Sequence, residues 1–162
     1  NKNQLNIHEL IEQVTKNIKI QIEFNDGRLT LNLNAEKVQV NGDPFHLKNA
    51  ISNLIDNAIK YSFNKPEITI QTSNYDQLII IEVIDKGIGI DKEFHKAIFG
   101  KFFRIPSGDV HNVKGFGLGL SYVNKIVELH QGSLAVMSQK GLGSSFIIKL
   151  PNASKYIQNI TC

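Results

Sequence analysis

Asn49, Asn53 and Asn57 follow one another at four-residue steps, so on a helix they stack along one face. Asparagine gives up roughly 0.5 kcal/mol of helix propensity against alanine, and a merely solvated face is better filled with Glu, Lys, Arg or Gln. Three such residues in register suggest short amides holding something fixed; a solvated face remains the alternative. A second candidate is Asp85, followed by Lys86-Gly87-Ile88-Gly89-Ile90. An ionised carboxylate only accepts hydrogen bonds, so it suits an exocyclic amine such as adenine N6 and refuses guanine, whose carbonyl would face it. The plain alternative is an Asp-Gly turn leaving a strand. A third is Gly115-Phe116-Gly117-Leu118-Gly119-Leu120, whose glycines let backbone N–H groups turn toward an anion where a helix begins. It is neither G-x-x-x-x-G-K-[ST] nor a dinucleotide G-x-G-x-x-G after a first strand, and a flexible loop before a helix is its alternative.

The elements that position these groups follow from periodicity. Asp43 suits an N-cap and Pro44 a first helical position, and Leu47, Ala50, Ile51, Leu54, Ile55 and Ala58 recur at three-and-four spacing. The segment Asp43 to Ser62 therefore reads as an amphipathic helix with Asn53, Asp56, Asn57 and Lys60 opposite its apolar face. Asn6 and Glu9 cap a short helix through Ile7, Leu10, Ile11 and Val14. Ile18 to Phe24 alternates like a strand, Asn25-Asp26-Gly27 reads as a turn, and Leu29, Leu31 and Leu33 resume the alternation. Val38 and Val40 suggest a further short strand. Glu67 to Thr72 and Leu78 to Ile84 are strands turned at Tyr75-Asp76, the second apolar enough for burial on both faces. Asp85 to Lys114 reads mostly as loop, with a short helical stretch around Asp91 to Phe103. A helix from Gly117 or Gly119 to His130 stops at Gly132, and Ser133 to Gln139 pairs with Ser144 to Leu150 as a hairpin. The fold class is α+β: a two-layer α/β sandwich, with a mixed, mostly antiparallel sheet and helices on one face.

Composition narrows the function classes. The 162 residues carry 41% hydrophobic and 20% charged side chains, as in a soluble globular domain. The net charge of +3 is dispersed, with no Lys/Arg block longer than two, which argues against a nucleic-acid surface. Cys162 alone builds neither a disulfide framework nor a cysteine metal site. No apolar run reaches membrane-span length, and Asn1 to Leu5 lacks a signal-peptide core. The chain begins without Met and reads as a piece of a longer protein.

Four ordered segments carry a resemblance. Asn53 to Ser62, Asp85 to Ile90, Phe99-Gly100-Lys101-Phe102-Phe103-Arg104 and Gly115 to Leu120 resemble the N, G1, F and G2 boxes of the sensor histidine kinase catalytic domain. That family shares its ATP-binding fold, the Bergerat type with a mobile ATP lid, with DNA gyrase, Hsp90 and MutL. The resemblance covers the chain from the Asp43 region to Pro151 and implies ATP and Mg²⁺ as cofactors. By similarity, Asn57 is the Mg²⁺ ligand, Asn53 faces the phosphates, and Lys60 and Tyr61 contact phosphate and ribose or adenine. Asp85 accepts from adenine N6, with Gly87, Gly89 and Ile90 around the base. Lys101 and Arg104, on the lid, neutralise charge on the γ-phosphoryl group, and Gly115, Gly117, Leu118, Gly119 and Leu120 form the phosphate cradle at the helix start. ATP-hydrolysing relatives carry Glu where this chain has Asn53. An amide is no general base at neutral pH, so transfer to a protein is expected in place of hydrolysis.

The resemblance also implies what the chain lacks. The phosphorylated histidine of the family lies in a separate helical dimerisation domain, within a His-Glu-Leu-Arg-Thr-Pro-like stretch. His8-Glu9-Leu10 imitates its first three residues, but Ile11-Glu12-Gln13 follows, so His8 is read as a decoy. His46, His95, His111 and His130 show no ligand spacing and are read as surface or lid residues. Lys86, where relatives often have Asn or Thr, and Gly100, where an acidic residue is usual, depart from the pattern: the first bears on charge beside the base, the second on lid stiffness. The expected organisation is a lead-in helix over 1–17, the catalytic domain over 18–151 with its lid at 91–116, and a polar tail over 152–162. Partners are the helical phosphoacceptor domain of the same parent and a response regulator receiver domain. The parent is expected to be a membrane-anchored homodimer with this domain cytoplasmic, and the fragment a monomer. A gyrase- or MutL-like ATPase and a nucleotide-independent docking module are the competing readings.

Overall fold

The computed structural model describes residues 3–63, 65–105 and 117–153. Strand β1 (Asn3–Asn6) leads into helix α1 (Ile7–Phe24), followed by β2 (Arg28–Leu33), β3 (Gln39–Gly42) and α2 (Pro44–Lys60). Strands β4 (Glu67–Tyr75) and β5 (Leu78–Asp85) precede two short 3-10 turns, Lys92–Phe94 and Ala97–Phe99. Helix α3 (Gly119–Leu129) and the hairpin β6 (Ser133–Gln139) and β7 (Gly143–Pro151) complete the chain. Five strands form one sheet in the order β2-β4-β5-β7-β6, parallel at β2-β4 and antiparallel elsewhere, while β1 and β3 pair as a separate ribbon. This is the expected mixed, mostly antiparallel sandwich.

Helices α1 and α2 start where their cap chemistry dictates. The Asn6 side chain accepts from the backbone of His8 and Glu9, and its amide donates back to Glu9, closing a capping arrangement at α1. The Asp43 carboxylate does the same for Phe45 and His46, and Pro44 takes a position that needs no donor. The core forms where the apolar faces of α1, α2 and α3 meet one face of the sheet, with Ile7, Ile11, Leu54, Ile55, Ile70, Ile81, Val127 and Ile148 fully buried.

Four expectations are corrected. Ile18 to Phe24 is the second half of α1, not a strand, so the boundary expected at 17/18 falls inside that helix. The stretch carries both periods: Ile18, Ile20 and Ile22 alternate, while Ile11, Val14, Ile18 and Ile22 continue the helical stripe. Burial selects the helix, since Ile22 is fully buried whereas Ile20 and Phe24 are exposed. Strand β5 is central, yet only one of its faces is fully buried; the other, uncovered by helices, is half-buried. Helix α3 is stopped one residue before the expected Gly132, by Gln131 in the left-handed conformation at φ 60°. Gly132 is required instead by packing, because a Cβ there would lie 2.3 Å from the Lys149 carbonyl oxygen. Finally, His130 is no surface residue: it is 7% exposed, its Nε2 accepts from the Asp43 N–H at 3.0 Å, and its Nδ1 lies 2.7 Å from the Ile126 carbonyl.

Candidate nucleotide site

Helices α2 and α3 run side by side, tied at one end by the His130–Asp43 bond and further along by His46 Nδ1 to Tyr122 Oη at 3.1 Å. At the other end they meet so closely that a Cβ on Gly119 would lie 3.0 Å from Asn53 Oδ1. The amide nitrogen of Asn53 is held by the Asn49 carbonyl at 2.8 Å, which turns the amide oxygen toward the start of α3. Residues 66 positions apart, Asn53 and Gly119, are thus brought together. Asn57, one turn on, is half-buried, and its side-chain amide has no hydrogen-bond partner among the described residues. Lys60 and Tyr61, at the end of α2, are exposed.

Among the described residues, no side chain at the N-cap closes the start of α3. Leu118 stands at the N-cap and supplies no side-chain hydrogen bond, so the first N–H groups of the helix lack the acceptor that Asn6 and Asp43 give the other two helices. A helix end of this kind suits an anion. Gly117 adopts φ 69°, and its carbonyl accepts from Phe102 N–H at 3.0 Å, joining the F segment to the glycine segment. Phe102 is itself left-handed at φ 61° and largely exposed. Leu120 packs on the core edge. Lys101 and Arg104 are exposed, and Lys101 has no hydrogen bond or ion pair to Asn53, Asn57 or Asp85. Residues 106–116, with His111 and Gly115, and the tail beyond 153 lie outside the described residues.

Asp85 ends β5 at 7% exposure, on the helix-covered side of the sheet. Burial pushes its carboxyl pKa up, opposed by hydrogen bonds from the Gly87 and Ser144 backbone N–H groups. The loop after it is laced on both sides. Ile88 N–H donates to the Tyr61 carbonyl at 2.9 Å, and Gly141 N–H donates to the Ile88 carbonyl at 2.7 Å. The glycines of this loop are required by the protein before any ligand arrives. A Cβ at Gly87 would lie 2.3 Å from the Tyr61 carbonyl oxygen, and one at Gly89, which sits at φ 66°, would lie 1.9 Å from the Gln139 carbonyl oxygen. Ile90 packs against the core and His95 Nε2 bonds its carbonyl at 3.1 Å. Lys86 points elsewhere: its ammonium pairs with Glu67 at 2.7 Å.

Sequence reasoning missed two contributors, Ser138 and Ser144. Ser144 lies opposite Asp85 in the β5–β7 register, and Ser138 bonds Ile90 from β6. Nothing local marks a serine in a hairpin as part of a site; only strand register brings it there. His8 is accounted for differently. Its Nε2 is 2.8 Å from Thr72 Oγ1, burial lowers its pKa, and it is engaged in the fold at the start of α1.

Among the described residues, no three His, Cys, Asp or Glu side chains cluster to hold a metal. A lone amide oxygen such as that of Asn57 fits a hard cation whose other ligands are phosphate and water, as Mg²⁺ prefers. No helix among the described residues is long and apolar enough to cross a membrane.

Comparison with known proteins gives a consistent picture. The family described as "Histidine kinase-, DNA gyrase B-, and HSP90-like ATPase" matches residues 42–154. The sensor protein RprX of Bacteroides fragilis is 41% identical over 152 residues, covering 91% of this chain and 29% of its own length. The sensor-like histidine kinase SenX3 of Mycolicibacterium smegmatis is 39% identical over 113 residues, covering 70% and 29%. Among solved structures, the nucleotide-free catalytic domain of histidine kinase ThkA superposes with a TM-score of 0.82 at 26% identity, covering 94% of this chain and 98% of that one. The chain thus spans under a third of the length of the two curated relatives.

Proposed function

This chain belongs to the histidine kinase-, DNA gyrase B- and HSP90-like ATPase family, and we propose that it is the ATP-binding catalytic domain of a sensor histidine kinase. In this reading it passes the γ-phosphoryl group of ATP to a histidine on a separate helical dimerisation domain of its parent, from which a response regulator receives it. The parent is a membrane-anchored homodimer, with this domain on the cytoplasmic side. The observation that carries the reading is the meeting of Asn53 with Gly119, which joins the amide stripe of α2 to the uncapped start of α3.

Each part of the site then has a task. The buried Asp85 carboxylate accepts from the adenine amine, and the uncapped N–H groups of α3 bind phosphate. Asn53 orients the phosphates without activating water, because an amide does not take up a proton at neutral pH. Asn57 would hold Mg²⁺, which supplies charge neutralisation across the phosphates when bound. Lys60 and Tyr61 stand at the rim, and Lys101 and Arg104 neutralise charge on the γ-phosphoryl group. Catalysis in such a site is positioning and electrostatics, with little covalent work for the protein.

Titration calorimetry with ATP and Mg²⁺, followed by labelling of a separately made acceptor domain with [γ-³²P]ATP, tests this. The expected result is binding, transfer to the acceptor, and a marked weakening of both in Asn57→Ala and Asp85→Asn. Robust phosphate release without acceptor would favour a gyrase- or MutL-like ATPase instead. Absence of ATP binding in the folded domain would favour a docking module.

A further inference from the structure

Beneath the Asp85 loop lies a hydroxyl with every valence committed. Ser138 Oγ accepts from the Ile90 N–H at 2.8 Å, donates to the Gly143 carbonyl at 2.8 Å and lies 2.9 Å from Ser144 Oγ. A serine hydroxyl has one proton and two lone pairs. The Gly143 carbonyl can only accept, so it takes that proton; the Ile90 N–H can only donate, so it takes one lone pair. Ser144 must therefore be the donor in the serine pair, with its proton turned toward Ser138.

The direction of that proton bears on the neighbouring carboxylate. Ser144 and Asp85 are directly opposite in an antiparallel pair, so their side chains leave the same face of the sheet with Cβ atoms about 4.5–5.5 Å apart. Both are buried. The carboxylate already receives the Gly87 N–H at 2.8 Å, with Ser144 directly beside it across the strand pair. A Ser144 hydroxyl free to rotate would be a further donor at hand, competing for the lone pair that a ligand amine requires. The same Ser138 oxygen also anchors the backbone directly after Gly89, where the chain is left-handed and pressed against Gln139.

We propose that Ser138 is a positioning residue for base selection: it pins the Gly89–Ile90 backbone and keeps the Ser144 proton turned away from Asp85, leaving the carboxylate open to an exocyclic amine. The inference rests on Asp85 being the base acceptor. Ser138 itself does not touch nucleotide.

The test compares ATP with inosine triphosphate, which carries a carbonyl oxygen in place of the amine, by calorimetry of the full chain with Mg²⁺. The unaltered chain should prefer ATP. Ser138→Ala should shrink that preference by roughly tenfold, and Ser138→Thr, which keeps the hydroxyl, should retain it. Thermal melts set a temperature at which all variants are folded. A merely structural role would weaken both nucleotides alike, and an unchanged ratio in Ser138→Ala would overturn the proposal. Asp85→Asn separates the two levels. If it leaves the preference intact, the base reading itself fails; if it abolishes the preference while Ser138→Ala does not, only the role of Ser138 fails.

Discussion

At the scale of single residues, Asp85, the proposed acceptor for the adenine amine, shows how a group set for binding would oppose folding. Burial raises its carboxyl pKa above the ordinary 3.8, so the folded chain holds that proton more tightly than the unfolded chain. The contribution to stability is therefore full below the ordinary value and is lost as pH rises through the raised one. Wherever Asp85 is ionised, the nucleotide-free domain carries a buried anion that a ligand amine would relieve. Asp85→Asn should accordingly raise the melting temperature of the nucleotide-free domain at pH 7 while weakening ATP binding roughly 10- to 100-fold. Nucleotide affinity has the opposite pH dependence from stability. It needs the ionised form, so it should fall as pH drops through the raised pKa of Asp85, and calorimetry across that range reads the effect. A variant both less stable and unaltered in affinity would contradict the assignment.

Elements hold these residues through close backbone approaches that local sequence only partly announces. The β6–β7 hairpin presses on the Asp85 loop at Gly89 and Gly143, where a Cβ would stand 1.9 Å from the Gln139 and 2.0 Å from the Asp85 carbonyl oxygens. Gly89→Ala combines that clash with a left-handed backbone and should cost well over about 1 kcal/mol, lowering the melting temperature by at least about 2–4 °C. Gly141→Ala is the control. It has a similar φ of 81° but open space around its Cβ, so only the backbone penalty applies and the loss should be smaller. The helix pair depends on His130, which ties the end of α3 to the start of α2. His130→Phe keeps an aromatic ring but removes the imidazole nitrogen that accepts from the Asp43 N–H, at an expected cost of about 1–3 kcal/mol in urea unfolding. A midpoint shift near zero would mean that water replaces the imidazole at no cost.

For the whole molecule, the open question is the acceptor. The chain spans 29% of the length of RprX and of SenX3, and none of its five histidines stands in the Arg-Thr-Pro context of a phosphoacceptor. On the proposed function, transfer should then be bimolecular: with Mg-ATP saturating, the initial labelling rate should rise in proportion to the concentration of an added acceptor domain before levelling off. Labelling of this chain alone, at a rate independent of added acceptor, would place the phosphorylated residue within it. The net charge of +3 predicts little long-range steering of that encounter.

The sequence alone determined the elements that bear the three candidate segments, because apolar periodicity, helped by a cap at α2, is local. Asp43 with Pro44 starts α2, the stripe from Leu47 to Ala58 orients it, and an apolar strand ends at Asp85. It also determined the family, since four motifs in order leave few alternatives, and the family match over 42–154 agrees. Wherever two periods overlapped in one stretch, local reading failed: the alternating isoleucines before Phe24 became helix because burying Ile22 against the core outweighs strand propensity. Only the tertiary structure decided that Gly119 closes on Asn53, that Ser144 lies beside Asp85 and that His130 is buried. These juxtapositions depend on strand register and helix packing between residues far apart in the chain, and no local preference encodes them.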